Sequence, residues 1–268
     1  MRWSALALLA LASAACSVSE DEEVQLGQET SAQIEEQVPL ITDPAITRYV
    51  EDLGKDIASR SSRPDLPWQF RVVNSSDVNA FAVPGGFIYI NRGLIERAQR
   101  MDELAGVLGH EIGHVVLRHS AEQIESRNRT SGVVTAVCVL TSLCDGGIAQ
   151  VAINVAGSAW FARHSRADEA EADSAGVYAV IASGISPEGI PSFFGTLLRE
   201  RQQQPTVLDD WFSSHPLEEE RVARTRALIE SIPSQQLDGL ASDSDDFQAL
   251  KARLEMLPPA PRTGPPTQ

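Results

Sequence analysis

The sequence predicts an α+β fold that is mostly helical, with one small β-sheet in its N-terminal half. Apolar residues recur at helical spacing along most of the chain, whereas short alternating apolar segments occur only between residues 68 and 90. The chain has 268 residues, 43% of them hydrophobic, which is sufficient for one well-formed core. We therefore expect a single folded domain at residues 24–232.

The predicted elements follow one another with turn residues between them. The three expected strands cover residues 68–73, 78–83 and 87–90, with a Pro-Gly-Gly turn before the last. Helices are expected where apolar residues repeat every three or four positions. They cover residues 24–37, 44–60, 102–119, 121–143, 166–182, 187–201 and 217–232, and Asp102 is the expected N-cap of the third.

The N-terminus has the layout of a secretory signal peptide at residues 1–15. Small residues lead to Cys16 in a pattern that resembles a bacterial lipobox, so residues 16–23 would form a tether behind a lipidated Cys16. The alternative is ordinary cleavage near residues 14–15. Ser17 favours the outer membrane by resemblance to lipoprotein sorting rules. The expected location is the periplasm, with the N-terminal lipid as the membrane anchor.

Two further regions are interpreted from composition. Residues 233–268 are rich in Ser, Asp, Gln and Pro, which is typical of a disordered tail. The apolar stretch 133–161 is interrupted by polar residues, so a helical hairpin is favoured over a membrane span. Within that stretch, Cys138 and Cys144 can form a disulfide if a turn separates them, or can remain buried free thiols.

The charge balance limits the classes of partner. The formal net charge is −15, from 22 basic and 37 acidic residues. Binding to nucleic acid needs clustered Lys and Arg, so no nucleic-acid partner is expected. The same balance disfavours attachment to an anionic membrane through basic side chains.

His110, Glu111 and His114 form an HExxH pattern in a strongly apolar helix. Residues four apart lie on nearly the same helical face, so both imidazoles can reach one ion at about 2 Å. Glu111 lies beside that face and can contact a water molecule without being a ligand. Two histidines and a carboxylate in a buried helix need partners, so the pattern predicts one Zn²⁺ per chain with Glu111 as the general base.

A third protein ligand must come from elsewhere, because catalytic zinc normally takes three. The acidic start of the helix at residues 166–182 offers Asp168, Glu169 and Glu171, which spacing alone does not separate. Glu169 and Asp173 are four apart and share a face, so Glu169 could ligate while Asp173 accepts the far N–H of a ligand histidine. The alternative is that these carboxylates only favour a helix N-terminus.

Four segments resemble the HtpX-like zinc metallopeptidases, in the order found in that family. They run from Asn79 to Gly86, from Glu103 to His119, from Ser165 to Asp173, and through Ser214-His215-Pro216 with Arg221 downstream. The resemblance spans roughly residues 24–230 and implies a gluzincin-like core, rich in helices, with the HExxH motif on its active-site helix. It also implies that Glu169, rather than Glu171, is the third ligand.

Three further roles are expected around the metal. The strand beside the Gly-Gly turn can present an open edge to an extended peptide, largely by the resemblance. The candidate substrate-binding residues there are Asn79, Ala80, Phe81, Ala82, Gly85 and Gly86. His215 is a candidate for stabilising the oxyanion or regulating access, with a structural role as the alternative. His119 is expected to point away from the metal face, and His164 to be structural or to lie behind the ligands.

Together these features predict a zinc-dependent endopeptidase of the bacterial cell envelope that hydrolyses misfolded or unassembled proteins. The alternative is a periplasmic chaperone or assembly factor that holds polypeptides at the same edge with little cleavage. The intact Glu111 favours the enzyme, because holding a peptide needs no general base. A zinc amidase or esterase would use the same ion, but the peptide-binding edge argues against it.

Overall fold

The computed structural model describes residues 18–125, 164–203, 208–216 and 219–262. The predicted signal peptide, Cys16, the helical hairpin at 133–161, and Cys138 and Cys144 lie outside these residues. The predictions made for them remain predictions.

Two helices precede the sheet. Helix α1 (Glu20–Gln37) begins with a capping box, in which the Ser19 hydroxyl accepts from the backbone N–H of Glu22 and the Glu22 carboxylate accepts from that of Ser19. The helix therefore starts inside the predicted tether, which is wrong for residues 20–23. Helix α2 (Pro44–Ser59) lies within the predicted helix at residues 44–60; the Asp43 side chain caps it, and it begins with a proline.

The sheet has three strands, β1 (Gln69–Val73), β2 (Ala80–Val83) and β3 (Phe87–Asn91), in the order β1–β3–β2. Strand β3 pairs parallel with β1 and antiparallel with β2. Alternate residues of β3 enter two apolar clusters, because Ile88 and Ile90 face the main core while Tyr89 packs with residues of α1. The sheet is thus covered on both faces.

The chain leaves β3 into helix α3 (Arg92–Arg97) and then helix α4 (Met101–Val116), which is buried along almost its whole length. The predicted N-cap is wrong: Arg100 occupies that position without a side-chain cap, and Asp102 is buried inside the first turn. Asp102 accepts a hydrogen bond from Nε of Arg100 at 3.0 Å, which satisfies the buried carboxylate instead.

The remaining helices complete the fold. They are α5 (Arg166–Ala182), α6 (Gly189–Gln203), α7 (Asp209–Ser214), α8 (Glu219–Glu230), α9 (Ser234–Leu237) and α10 (Asp245–Glu255). Residues 119–125 are also helical. Within the described ranges, no helix combines the length and apolar character that crossing a bilayer requires.

The predicted disordered tail is wrong for most of its length. Phe247, Leu250 and Leu254 of α10 are buried in the main core, at the i, i+3, i+7 spacing of an apolar helical face. Nζ of Lys251 donates to the carbonyl oxygens at the end of α3, including that of Ala98 at 2.8 Å. The average composition of the tail concealed this short amphipathic helix.

Helices α4 and α5 approach closely through small residues. A Cβ atom at Gly113 would lie 2.7 Å from the carbonyl oxygen of Ala172, and one at Gly176 would lie 3.0 Å from the backbone carbon of Gly109. The absence of side chains on one side of each contact lets the two backbones pack together. This approach places the acidic first half of α5 beside the histidines of α4.

Candidate metal centre

The two histidines of the HExxH motif share one face of α4. His110 and His114 are buried, and their Nε2 atoms are 3.0 Å apart. The separation follows from the helical repeat, which stacks residues four apart on successive turns. Both imidazoles therefore present a nitrogen toward one point between the helices.

Helix α5 brings a carboxylate to the same point. Oε1 of Glu169 lies 3.3 Å from Nε2 of His114, and Oε2 lies 3.6 Å from Nε2 of His110. His215, at the end of α7, completes the group, with its Nδ1 3.1 Å from Oε1 of Glu169 and 3.3 Å from Nε2 of His110. One donor atom from each of the four residues lies within 4.8 Å of every other.

This donor set fits a divalent metal ion. Ligand atoms held about 2.0–2.1 Å from a tetrahedral ion are about 3.3 Å apart, which matches the separations among His110, His114 and Glu169. All three side chains are buried, and imidazole with carboxylate is a usual ligand combination for catalytic zinc. The structure thus brings the three predicted ligands together.

Glu111 lies beside this group and is fully buried. Among the described residues, neither of its carboxylate oxygens has a hydrogen-bond partner, and Nε2 of His215 lies 3.5 Å from its Oε1. A buried carboxylate with free lone pairs is costly unless a ligand or water completes its bonding. Its position suits a group that acts on a molecule bound next to the metal.

Behind the donors, Asp173 and Arg221 form a buried ion pair. Oδ1 of Asp173 lies 3.0 Å from Nδ1 of His110, as predicted for a residue that orients this ligand. Arg221 donates to both Asp173 and Glu169 and stacks on the ring of Phe194 at 4.3 Å. The sequence pattern assigns Arg221 no role, although this residue lies downstream of Ser214-His215-Pro216 in one of the family-like segments.

The prediction that His119 points away from the metal face is wrong. Its Nδ1 lies 2.9 Å from Nδ1 of His114, and the residue is 4% exposed. The prediction assumed one continuous helix, but Arg118 has a φ of 61° and ends that geometry, so the chain turns back toward the site. His164 stacks on His114 with 3.8 Å between ring centroids, which agrees with a place behind the ligands.

A model of peptidase family M48 matches residues 44–229. The chain belongs to peptidase family M48. This membership confirms the resemblance to the HtpX-like enzymes and the predicted enzyme class, a metallopeptidase with a helix-rich core and a small sheet. It also implies a metal cofactor, in agreement with the buried donor set.

Several M48 relatives are similar along most of the chain. The beta-barrel assembly-enhancing protease of Escherichia coli K12 is 30% identical over 250 residues, which are 90% of this chain and 50% of that protein. The metalloprotease YcaL of the same organism is 30% identical over 203 residues, 67% of this chain and 76% of YcaL. The mitochondrial metalloendopeptidase OMA1 of Schizosaccharomyces pombe is 29% identical over 197 residues, 74% of this chain and 56% of OMA1. The chain spans about half the length of the first of these relatives.

The electrostatics of this M48 site favour the forms that bind metal. Burial lowers the pKa of His114 well below its ordinary value despite the nearby Glu169, so the imidazole is neutral. Burial alone would raise the pKa of Glu169, but His215, His114 and His110 outweigh it and hold the pKa far below the usual range. A neutral imidazole and an ionised carboxylate are the protonation states of metal ligands.

The predicted substrate edge lies next to the active-site helix. Strand β2 is at one edge of the sheet, and in the described part of the chain no strand pairs with its outer side. It packs against α4, with Phe81 and Ala82 partly exposed. At the following turn, Gly85 and Gly86 have φ of 80° and 102°, and the N–H of Gly85 donates to the buried Glu23 at 3.3 Å. Asn79 and Ala80 are buried at the start of the strand.

Proposed function

We propose that this M48 metallopeptidase is a Zn²⁺-dependent endopeptidase of the bacterial cell envelope that cleaves misfolded or unassembled proteins. The observation that carries the proposal is the buried convergence of His110, His114 and Glu169 beside the carboxylate of Glu111. Three protein donors and an adjacent base are the set that a metal-assisted hydrolase needs.

In this proposal His110, His114 and Glu169 hold the ion. When bound, Zn²⁺ supplies Lewis-acid chemistry, polarising the scissile carbonyl and lowering the pKa of water. Glu111 accepts a proton from the attacking water, since its oxygens are free of other hydrogen bonds in the described structure. Glu111 then returns the proton to the leaving amine, so one carboxylate serves first as base and then as acid.

His215 is proposed as the group that stabilises the developing oxyanion. Burial opposes charge on its ring, but Glu169 and Glu111 outweigh that effect and raise its pKa, which favours a protonated imidazole that can donate. Its Nε2 lies 3.5 Å from Oε1 of Glu111, so it is adjacent to the base. In its neutral form the ring would instead present Nδ1 among the metal donors, and we propose control of access to the metal as a second role for that form.

The proposed substrate is an extended polypeptide that pairs with β2. A free strand edge binds through backbone hydrogen bonds, which gives little dependence on side-chain identity and suits a protease of unfolded chains. Strand β2 packs directly against α4, so a peptide on this edge would run close to Glu111. The part-exposed Phe81 and Ala82 would contact its side chains.

The proposed location is the periplasm, with a lipid at Cys16 anchoring the chain to the outer membrane. The support is the signal-peptide layout and lipobox-like sequence, together with a relative whose name refers to beta-barrel assembly. No nucleic-acid partner is proposed, given the net charge of −15.

The test is a comparison of the wild type with Glu111→Gln, both loaded with Zn²⁺, in a casein cleavage assay. Glutamine keeps the shape of the side chain but cannot accept the proton, so we expect retained zinc and a loss of cleavage of at least about 10²-fold. Glu122→Gln is the matched control, because Glu122 is exposed on the neighbouring helical segment and should cleave like the wild type.

Two results would overturn the proposal. Cleavage by zinc-loaded Glu111→Gln at the wild-type rate would exclude Glu111 as the base. A wild type that protects unfolded polypeptides from aggregation, with no cleavage and no sensitivity to EDTA, would favour the chaperone alternative.

A further inference from the structure

The second ring nitrogen of His114 has a specific neighbour. A ligand imidazole that binds metal through Nε2 carries its proton on Nδ1, and that N–H needs an acceptor when it is buried. For His110 the acceptor is Asp173, 3.0 Å from Nδ1. For His114 the atom at that position is Nδ1 of His119, at 2.9 Å.

We infer that His119 is a positioning residue, which accepts a hydrogen bond from His114 and thereby fixes the ring and the tautomer that bind the metal. This inference rests on the proposed function, because it concerns how one of the proposed ligands is held. Each ligand histidine then has its own orienting partner, a carboxylate for His110 and an imidazole nitrogen for His114.

The protons of this pair can be placed. If Nδ1 of His119 accepts, its own proton is on Nε2, which is buried and has no hydrogen-bond partner among the described residues. Oε2 of Glu171 lies 3.6 Å from that nitrogen, beyond a normal hydrogen bond but close enough for electrostatic attraction. Glu171 would therefore polarise His119 from the surface, where its side chain is 65% exposed.

The backbone around His119 is held in an uncommon conformation. Arg118 has a left-handed φ of 61°, a backbone conformation that residues with a Cβ atom rarely adopt. Its side chain is tied to the N-terminal region, with Nε 3.0 Å from Oε2 of Glu23 and Nη2 donating to the carbonyl oxygen of Val18. These contacts hold the turn that aims His119 at His114, which an uninterrupted helix would not do.

A second metal site is the competing interpretation of the same cluster, because His114, His119 and His164 each have a donor atom within 4.8 Å of the others. The ring of His164 is stacked face to face on His114, with 28° between the ring planes. Ring nitrogens bind metals through lone pairs that lie in the ring plane. Stacked rings do not direct those lone pairs to one point, so a hydrogen bond explains the geometry better.

The experiment compares zinc affinity in full-length wild type, His119→Ala and His119→Asn, by competition with a chromophoric chelator. Alanine removes the acceptor, and we expect zinc to bind about 10–100-fold more weakly. The Oδ1 atom of asparagine is placed like Nδ1 of histidine, so His119→Asn should bind within about threefold of wild type. The melting temperatures of the two metal-free variants show whether either substitution disturbs packing. A long-range ¹H–¹⁵N correlation NMR spectrum of the zinc-loaded wild type shows which ring nitrogen of His114 carries the proton.

The inference is overturned if His119→Ala keeps wild-type affinity, if the two variants weaken zinc equally, or if the proton of His114 is on Nε2. Two zinc ions per wild-type chain, falling to one in His119→Ala, would establish the second site instead. These outcomes differ from a failure of the proposed function. In that case the wild type would bind no stoichiometric zinc, and neither would the variants at position 119.

Discussion

Arg221 binds Asp173 with two hydrogen bonds, from Nε to Oδ2 at 2.7 Å and from Nη2 to Oδ1 at 2.7 Å. Both side chains are almost fully buried, and Arg221 also donates to Glu169. The arginine thus compensates two buried carboxylates, one that faces the metal position and one that orients His110. Helix α8 is therefore part of the site, although its sequence has no metal-ligand pattern.

Replacing Arg221 by Met should destabilise the metal-free protein strongly. The change leaves Asp173 and Glu169 buried without their main cation, which typically costs about 3–5 kcal/mol. The free energy of unfolding from urea denaturation measures the effect. Arg224→Met is the matched control, because Arg224 is exposed on the same helix, and it should change the value by less than about 0.5 kcal/mol. Equal changes in unfolding free energy for the two variants would show that the contacts of Arg221 with Asp173 and Glu169 contribute little to stability.

The same pair makes stability depend on pH in the acid range. Burial alone would raise the pKa of Asp173, but Arg221 outweighs it, so the folded-state pKa lies below the ordinary value of about 3.9. Stability from this carboxylate is then present above the unfolded-state pKa and lost as the pH falls through the folded-state pKa. We expect the difference in unfolding free energy between wild type and Arg221→Met to narrow below about pH 4. A difference that stays constant between neutral and acid pH would contradict this.

Zinc should stabilise the protein through Glu169 and not through Glu171. A ligand that binds only the folded state raises its stability, by about 2.7 kcal/mol at a hundredfold excess over Kd. The measured quantity is the rise in melting temperature when Zn²⁺ is added to metal-free protein. Glu169→Ala should lose most of this rise, whereas Glu171→Ala should retain most of it, because Glu171 is exposed on the same helix and would act on the metal only indirectly, through His119. The reverse result would assign the ligand to Glu171.

Gly113→Ala should destabilise the fold by separating α4 from α5. The new methyl group would lie 2.7 Å from the carbonyl oxygen of Ala172, a backbone atom that cannot move without shifting the helix. Such overpacking costs about 1–3 kcal/mol, to be measured by urea denaturation. Gly195→Ala is the control, because among the described residues its new methyl group would meet only the flexible end of Arg199, at 3.4 Å, and the variant should be neutral or stabilising. A stabilised Gly113→Ala would refute the close packing.

Glu23→Gln should weaken the attachment of α1. Glu23 is 1% exposed and receives hydrogen bonds from Arg63 and from the turn at Gly85, and it also pairs with Arg118. Removing its charge weakens the pairing of both arginines, although Arg63 keeps Glu20 and Arg118 is partly exposed, so we expect a loss of about 1–3 kcal/mol in unfolding free energy. Glu36→Gln, at an exposed position of the same helix, serves as the comparison and should be nearly silent. An unchanged unfolding free energy in Glu23→Gln would mean that solvent already screens the charges of the two arginines.

Several features could be predicted because they depend on local sequence. The helical repeat alone places His110 and His114 on one face, and the alternating residues of 68–90 predict strands. By contrast, the tail prediction failed because α10 is stabilised by burying Phe247 in a distant core, which average composition does not report. The N-cap prediction failed because Asp102 pairs with Arg100 instead of capping the helix.

The sequence by itself determined the chemistry of this protein: an HExxH helix, an acidic helix that follows it, and membership of a metallopeptidase family. Apart from Asp173, which the helical spacing predicts, only the tertiary structure decided which side chains support that chemistry. Arg221 lies on α8, 111 residues after His110 in the chain, yet contacts it in the site. His119 reaches the site because Arg118 interrupts the helical repeat. Sequence spacing predicts neither contact. The position of Arg221 depends on how distant helices pack, and that of His119 depends on one unusual backbone angle, at Arg118.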